Sequence, residues 1–443
     1  MSHLTDLKSQ LELMKVSSQS LYRDNQLSHE QIKTLLETRG CTIEITNPYV
    51  TPKYTLEKVR KVPIRHSVYS YTHFFERNLL QNIPCVITNV ALNWPCMKTW
   101  IDGGQINFKY LRSKFGNASV PVANCSKKYF DSHEKITMKF SDYLDYFESE
   151  NKENLLYLKD WHCRKEFPLE DFYEVPKLFT SDWLNEYALA TMQDDYMFVY
   201  MGPAGTWTPL HADVYNSYSW SVNITGCKKW RLYPPGQEDL LRDQNGQLPF
   251  DVSTYDSKTK DVYYLEIIQE KGDAIFIPSG WYHQVWNLDD TISINHNWIN
   301  ACNIHVMWKN LQLELKKVEK EISDCIQMDN WSEHCQLLLR ATFGMNYFDF
   351  YNFLHEIAFR RITRLKNTAT VTCFKSALGV NHCRFDLIQI HQVLVDYLKN
   401  DVFVHMNTTF EGNLLELIEK ILQVLGMWES ILGKSELQLD CAS

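Results

Sequence analysis

A histidine and an aspartate two residues apart, His211 and Asp213 in the segment WTPLHADVYN, are the first residues whose types suggest chemistry. In an extended strand the side chains at positions i and i+2 point to the same face, so this imidazole and this carboxylate would converge. A third ligand would complete the 2-His-1-carboxylate set that holds Fe(II) in non-haem oxygenases. A surface turn is the alternative, because a chain with 15 histidines and 54 acidic residues contains such pairs by chance.

Three histidines are candidates for the third ligand. His283 follows the apolar segment Asp273–Pro278 and a Pro-Ser-Gly turn, which predicts a position early in a neighbouring strand. His296 shares one strand face with two isoleucines, which indicates a packed core, and His305 lies at the start of a helical pattern. We therefore predict His283 as the third ligand.

A lysine, Lys228 in the segment KKWRLY, is the next candidate. A lysine that points into a protein interior is costly unless an anion pairs with it. An inward Lys228 would need a carboxylate, and 2-oxoglutarate carries one at its distal end. The adjacent Lys229 would then point outward, because neighbouring strand residues alternate between faces. The alternative is that Lys228 is an ordinary surface lysine.

The elements that must position these residues read as short strands separated by Gly, Pro, Asn and Asp, a pattern typical of an all-β barrel or sandwich. Two of them, Ser217–Ile224 and Thr291–Asn297, carry polar residues at alternate positions, which suits a cavity lined by side chains or, alternatively, a face exposed to solvent. The predicted strands are Pro84–Val90, Leu155–Leu158, Tyr196–Met201, Ser217–Ile224, Lys228–Tyr233, Val262–Ile268, Asp273–Pro278 and Thr291–Asn297.

Helical periodicity flanks this β region. It predicts an N-terminal helical segment over residues 1–40, a helix over Phe140–Phe147 between early strands, and a C-terminal helical region over residues 301–443 that includes Phe385–Leu398 and Leu414–Leu425. Residues 41–300 would then form the core domain. The C-terminal region would be either a helical cap on that core or an element for homodimerisation.

Composition narrows the class of protein. The chain has 443 residues, of which 44% are hydrophobic and 22% charged, as is usual for a globular protein, and its formal charge of -9 argues against a general nucleic-acid partner. Its 12 cysteines form no CxxC pair, which argues against zinc modules and for a reducing compartment. There is neither a secretory signal nor an apolar run of about 18 residues, so we expect no membrane contact and a location in the cytoplasm, with the nucleus as a second compartment.

In combination, the segments WTPLHAD, GCKKWRLYPP, GDAIFIPSGWYHQVWNL and TISINHNW resemble the JmjC (jumonji-C) oxygenases of the small hydroxylase branch. The resemblance extends over Pro84–Trp298. It implies a double-stranded β-helix, a jelly-roll or cupin-like fold of mainly β structure with α-helices. It also implies that Fe(II) is held by His211, Asp213 and His283, and that no catalytic side chain is needed beyond these ligands.

The same resemblance implies a site for the cosubstrate 2-oxoglutarate. Lys228 would pair with its distal carboxylate, assisted by the hydroxyls of Thr208 and Tyr157, and Asn297 would also contact it. Ser221 takes the place of an asparagine found in some relatives, so its polar contact would be shorter or bridged by water. The reaction would consume O₂ and release succinate and CO₂.

The segments SGWYHQVWNLDDTISINHNW and YLKDWHC most resemble the branch member that hydroxylates C4 of a lysine in the eukaryotic translation termination factor. The resemblance therefore implies a protein lysyl hydroxylase with that factor as its partner. A JmjC lysine demethylase and an RNA hydroxylase stay open as alternatives, as does a non-catalytic scaffold. The missing zinc modules favour hydroxylation over demethylation, the acidic charge weighs against RNA, and the complete ligand set weighs against a scaffold.

Overall fold

A computed structural model describes residues 42–54, 65–67, 69–192, 194–254, 262–366, 372–373, 376–400 and 408–440. The predicted helical segment over residues 1–40 lies outside the described residues. The chain divides into two compact units. One comprises the described residues of 52–299, and the other comprises residues 42–51 together with the described residues from 300 onward.

The helices and strands are numbered here in chain order. The helices are α1 (Tyr71–Phe74), α2 (Cys96–Thr99), α3 (Phe108–Phe115), α4 (Phe140–Glu148), α5 (Cys163–Glu166), α6 (Trp183–Tyr187), α7 (Ile304–Glu321), α8 (Trp331–Phe343), α9 (Tyr347–Lys366), α10 (Val380–Tyr397) and α11 (Thr408–Asp440). The strands are β1 (Thr42–Ile43), β2 (Arg65–His66), β3 (Cys85–Ile87), β4 (Ile101–Asp102), β5 (Gln105–Ile106), β6 (Ser119–Tyr129), β7 (Ser132–Lys139), β8 (Leu156–Trp161), β9 (Met197–Gly202), β10 (Trp207–His211), β11 (Tyr218–Thr225), β12 (Lys228–Tyr233), β13 (Leu265–Gln269), β14 (Ala274–Ile277), β15 (Tyr282–Asn287), β16 (Thr291–Trp298), β17 (Thr372–Cys373) and β18 (Ser376–Leu378).

Two facing β-sheets build the unit over residues 52–299. The larger sheet has nine strands in the order β2-β3-β14-β11-β16-β9-β8-β6-β7, and the smaller has four in the order β10-β15-β12-β13. Val86 and Ile275 of the larger sheet share one apolar core cluster with Trp230 and Val285 of the smaller sheet. This arrangement is the predicted jelly-roll. In the part of the chain that the structure describes, the two sheets pack together without closing into one hydrogen-bonded barrel.

The polar strand faces predicted for β11 and β16 border a cavity in this unit. The two strands are antiparallel neighbours, with Ser219 opposite Asn297 and Ser221 opposite Asn295. Ser219, Asn295 and Asn297 line the cavity, while Ile294 is buried on the other face of β16. The sheet therefore uses one face of each strand for packing and the other for a binding site.

All eight predicted strands overlap observed ones, and the prediction for Lys228–Tyr233 matches β12 at both ends. The hairpin of β6 and β7 was not predicted. Beyond Cys125 its residues are largely polar and exposed, so no apolar alternation marks them as strands. The prediction that His211 and Asp213 share one strand is wrong, because β10 ends at His211.

The second unit is helical, as predicted. Helices α7, α9 and α10 meet around an aromatic cluster in which Trp308, Tyr347, Phe350 and Tyr397 have ring centroids 5.0–6.4 Å apart. Strand β1 pairs in parallel with β18. The predicted helices over Phe140–Phe147, Phe385–Leu398 and Leu414–Leu425 lie largely within α4, α10 and α11. Among the described helices, none combines the length and the apolar character that a bilayer span requires.

Candidate metal centre and cosubstrate cavity

Strand pairing brings two histidines together. Strands β10 and β15 are antiparallel, with His211 directly opposite His283 in the register. The centroids of their imidazole rings are 4.3 Å apart. One ligand atom each from His211, Asp213 and His283 lies within 4.8 Å of the other two. The three residues predicted as ligands are therefore adjacent, although the first and the last are 72 positions apart in the sequence.

Asp213 reaches the histidines through a turn rather than along a strand. The residue is extended (φ -65°, ψ 154°) and precedes a short 3₁₀ turn, Val214–Asn216. Tyr215 and Asn216 both have positive φ, which reverses the chain into β11. Ser219 Oγ then donates a hydrogen bond of 2.6 Å to Asp213 Oδ2 and fixes the carboxylate. The local turn therefore brings the carboxylate and the imidazole together, as a shared strand was predicted to do.

The hydrogen bonds of the two imidazoles prepare them as ligands. His211 Nδ1 donates to the Pro209 carbonyl oxygen at 2.8 Å, and His283 Nδ1 donates to the Trp281 carbonyl oxygen at 2.9 Å. A carbonyl oxygen only accepts, so the proton sits on Nδ1 and the Nε2 lone pair is left for a metal. Burial lowers the pKa of His211 to about 3, and the adjacent imidazole of His283 further disfavours a proton on His211. Two neutral imidazoles with one carboxylate fit the donor preference of Fe(II).

A small cavity of about 50 Å³ adjoins these three side chains and is called the inner cavity below. The sequence pointed to four of its other lining residues, namely Tyr157, Thr208, Lys228 and Asn297. Asn295, on the polar strand face that the sequence predicted, lines it as well. The sequence did not point to Lys159 or Tyr200, which also line it. Trp230 and Val285 give part of its wall an apolar surface, which limits the water that the cavity can hold.

Lys228 points inward, as predicted, and is buried. Its Nζ donates to Ser293 Oγ at 2.7 Å and to the Tyr157 hydroxyl at 3.4 Å. No carboxylate of the described residues forms an ion pair with it. Burial lowers its pKa to about 7, with a contribution from the charge of Lys159. An anion entering the inner cavity would supply the charge that this ammonium lacks.

The remaining predicted residues take different positions around the cavity. Asn297 lines it and donates from Nδ2 to Ser217 Oγ at 3.1 Å. Ser221 is buried beside it and is not one of the described lining residues; its Oγ donates to Asn295 Oδ1 at 3.0 Å. Neither of the other two histidines considered as ligands joins the cluster: His296 stacks on Trp220 within the core, and His305 lies in α7 with its Nε2 3.0 Å from Gln389 Oε1.

A weak signal in the sequence could have identified Lys159. Tyr157 and Lys159 are two residues apart in LLYLKDW, so on a strand both face the same side. Asn295 lies on the polar face already assigned to β16. Tyr200 carries no such signal, because it belongs to a run of apolar and aromatic residues in which nothing distinguishes a cavity wall from core.

A larger cavity of about 330 Å³, called the outer cavity below, shares His211, Asp213 and Asn297 with the inner one. Its walls also include Asp131, Asp160 and Lys135. Three aromatic residues at alternate positions around β9, Tyr196, Phe198 and Tyr200, line it too, and Tyr200 is common to both cavities. A side chain that enters the outer cavity therefore reaches the candidate metal ligands.

Comparison with known proteins gives one consistent family. The model of the Cupin-like domain family matches residues 71–304. The 2-oxoglutarate and iron-dependent oxygenase JMJD4 of Gallus gallus is 45% identical over 366 residues, which cover 77% of this chain and 86% of that protein. Its Drosophila melanogaster homolog is 45% identical over 359 residues, covering 73% and 84%. The arginine-specific demethylase JMJ20 of Arabidopsis thaliana is 38% identical over 323 residues, covering 67% and 70%.

Proposed function

This chain belongs to the JMJD4 family of 2-oxoglutarate- and iron-dependent oxygenases, and from that premise we propose that it hydroxylates C4 of a lysyl side chain in the eukaryotic translation termination factor. One observation carries the chemistry: a buried lysine without a carboxylate partner, Lys228, lines the same small cavity as a 2-His-1-carboxylate cluster. The substrate assignment depends on the resemblance of the segments around His283 and Tyr157 and on the character of the outer cavity.

His211, Asp213 and His283 would hold the iron. With 2-oxoglutarate and O₂ present, Fe(II) supplies the oxidising power that converts a C–H bond into a hydroxyl group while the cosubstrate leaves as succinate and CO₂. The protein's part is to fix the ligands. The two backbone carbonyls set the tautomer of each imidazole, and Ser219 orients the carboxylate of Asp213.

Lys228 would bind the distal carboxylate of 2-oxoglutarate. A charge-assisted hydrogen bond of this kind is about twice as strong as one between neutral groups. Tyr157 and Thr208 would add hydroxyl contacts from the inner cavity, and Asn297 would contact the cosubstrate from β16. Ser221 would act through Asn295, whose amide oxygen it holds.

The outer cavity suits a basic side chain. Aromatic faces and carboxylates together favour a cation, and Phe198, Tyr200 and Asp131 supply both. Lys135 and Lys159 also line this cavity, and Lys135 already pairs with Asp160, so Asp131 is the carboxylate that would meet the substrate. A lysine that enters here would bring its methylene groups towards His211 and Asp213. The net charge of -9 also favours a basic region of a protein over RNA as the partner.

Mass spectrometry on the reacted factor tests the proposal. Incubation with Fe(II), 2-oxoglutarate and O₂ should add one oxygen atom to a single lysine of the termination factor, and fragmentation should place it at C4. A Lys→Arg change at that position of the factor serves as the control. An unmodified factor, together with 2-oxoglutarate turnover stimulated by another protein, would contradict the substrate assignment.

Demethylation is the second candidate, because a relative 38% identical to this chain is named as an arginine-specific demethylase. A methylated lysine or arginine would meet the same aromatic and acidic walls. The same experiment with methylated peptides separates the two reactions: hydroxylation adds oxygen, whereas demethylation removes a methyl group and releases formaldehyde.

A further inference from the structure

Lys159 is a second lysine of the inner cavity, and none of the described carboxylates forms a hydrogen bond or an ion pair with its ammonium. We propose that Lys159 binds the carboxylate at the keto-acid end of 2-oxoglutarate, the end opposite to the one that Lys228 would hold. The inference rests on the proposed use of the inner cavity for the cosubstrate and adds a residue that positions it.

The strand places Lys159 beside the cosubstrate site. Tyr157 and Lys159 alternate along β8 and share one face, and both line the inner cavity. Beyond Lys159 the regular strand is interrupted. Asp160 has a φ of 59°, and the pairing of β8 with β9 shifts register between Leu158 and Trp161. The interruption turns the carboxylate of Asp160 towards other partners.

Asp160 and Asp213 favour the charged form of Lys159 from a distance, but neither carboxylate forms a hydrogen bond or an ion pair with it. Asp160 accepts hydrogen bonds from Lys135 Nζ at 2.6 Å and from the Tyr200 hydroxyl at 2.7 Å. Asp213 Oδ2 accepts from Ser219. The Lys159 Nζ lies 5.8 Å and 6.0 Å from the ring centroids of Tyr157 and Tyr200, distances that suit a cation over an aromatic ring. Such contacts orient the ammonium but leave its N–H donors available for an anion.

The two lysines differ in the cavities that they line. Lys228 lines the inner cavity, whereas Lys159 lines both the inner and the outer cavity, as do His211 and Asp213. Lys159 is thus the cation that accompanies the candidate metal ligands. The Tyr200 ring centroid is 5.8 Å from Lys228 Nζ and 6.0 Å from Lys159 Nζ, so one ring adjoins both ammonium groups. Two cations around one small cavity match a ligand with two carboxylates.

Calorimetric binding with two keto acids tests the assignment. The probes are 2-oxoglutarate and 2-oxopentanoate, in which a methyl group replaces the distal carboxylate. They are titrated into the full chain loaded with Mn(II), without O₂ and without any protein substrate. Lys159→Met should weaken binding of both keto acids by about 10- to 100-fold, the loss expected for a hydrogen bond to a charged group. Lys228→Met should weaken only 2-oxoglutarate.

Two controls keep the result interpretable. Lys229→Met alters the neighbouring outward lysine, whose ammonium lies 4.8 Å from the Trp286 ring, and should bind both keto acids like the unaltered protein. Lys159→Arg keeps the cation and should bind both more tightly than Lys159→Met does. If Lys159→Met does not fold, Lys159→Gln takes its place with the same expected loss.

Unchanged binding of both keto acids to a folded Lys159→Met protein would overturn the proposal. Unchanged keto-acid binding with a raised KM for the termination factor would also overturn it, and would assign the ammonium to a carboxylate of the protein substrate instead. Because no protein substrate is present in the binding experiment, failure of lysine hydroxylation would leave this result unaffected.

Discussion

Two clusters of histidine and carboxylate occur among the described residues of 52–299, and only one of them has the character of a metal centre. The first is His211, Asp213 and His283. The second is His162 with Asp194 and Asp195. In each cluster the ligand atoms lie within 4.8 Å of one another, so residue types and distances do not separate them. The hydrogen bonds around each cluster distinguish the two.

In the second cluster, His162 and Asp194 already have partners of opposite charge. His162 Nδ1 is 2.6 Å from Asp195 Oδ1, and Lys165 Nζ is 3.0 Å from Asp194 Oδ1. The hydrogen bond to Asp195 raises the pKa of His162, which favours the imidazolium, a form that cannot bind a metal. In the first cluster, burial keeps His211 neutral, and no described lysine or arginine forms an ion pair with Asp213. The hydrogen bonds and ion pairs around a set of ligand residues therefore determine whether the set can bind a metal.

Removal of a first-cluster histidine should have the largest effect. His211→Ala leaves one imidazole and one carboxylate, too few ligands to hold Fe(II). We expect succinate formation from 2-oxoglutarate to fall to background while the far-ultraviolet circular dichroism stays unchanged. His162→Ala is the matched control and should retain turnover. Full activity of folded His211→Ala, or its loss in His162→Ala, would break the distinction between the clusters.

Lys228 gives the next largest effect. Lys228→Met should raise the KM for 2-oxoglutarate by about 10- to 100-fold, because a hydrogen bond to a charged group contributes about 1.5–3 kcal/mol. Initial rates over a range of 2-oxoglutarate concentrations measure this, and the KM for the protein substrate should not change. A KM for 2-oxoglutarate equal to that of the unaltered protein would remove Lys228 from the site.

Substitution of Ser219 tests whether its hydrogen bond to Asp213 helps the first cluster to bind a metal. Ser219→Ala removes the hydrogen bond that orients Asp213, and loss of such an outer partner lowers metal affinity by about 10- to 100-fold. Competition with a chelator for Mn(II) measures the affinity. Ser141→Ala, which removes a similar hydrogen bond to the exposed Asp142, is the control. Equal metal affinity of the two variants would show that Asp213 needs no such support.

The smallest expected effect is the pH dependence of the stability that the second cluster gives to the fold. The folded-state pKa of His162 is raised above the unfolded value of about 6.5, so the His162–Asp195 pair stabilises the fold below that pH. The stabilisation is lost as pH rises through the folded-state pKa. His162→Gln should therefore lower the free energy of unfolding at pH 6 by less than about 1 kcal/mol, since the side chain is partly exposed, and by less at pH 9. Urea unfolding at both values measures the difference, and a larger loss at pH 9 would contradict the sign.

Much of this fold could be predicted because local pattern and tertiary structure agree. Lys228–Tyr233 alternates between faces in the sequence as it does in β12. Asp213 could not be placed correctly, because the turn that positions it depends on positive φ at two non-glycine residues, Tyr215 and Asn216, which no spacing rule foresees.

The second cluster and the ion pair of Lys135 with Asp160 could not be predicted, for another reason. His162 is separated from Asp194 and Asp195 by about thirty residues, and their approach depends on how β8 and β9 pair. Lys135 reaches Asp160 from the hairpin of β6 and β7, which the sequence does not mark as strands. These ion pairs join segments that are distant in the sequence, and for that reason the sequence alone did not predict which charged groups are paired.

A crystal structure with Mn(II) and 2-oxoglutarate, grown without O₂, tests the central claim most directly. Anomalous scattering from the metal should give one strong peak among His211 Nε2, His283 Nε2 and an oxygen of Asp213, with the distal carboxylate of the ligand on Lys228. The second cluster should give no peak. A peak at His162, Asp194 and Asp195, or none at His211, would contradict the account.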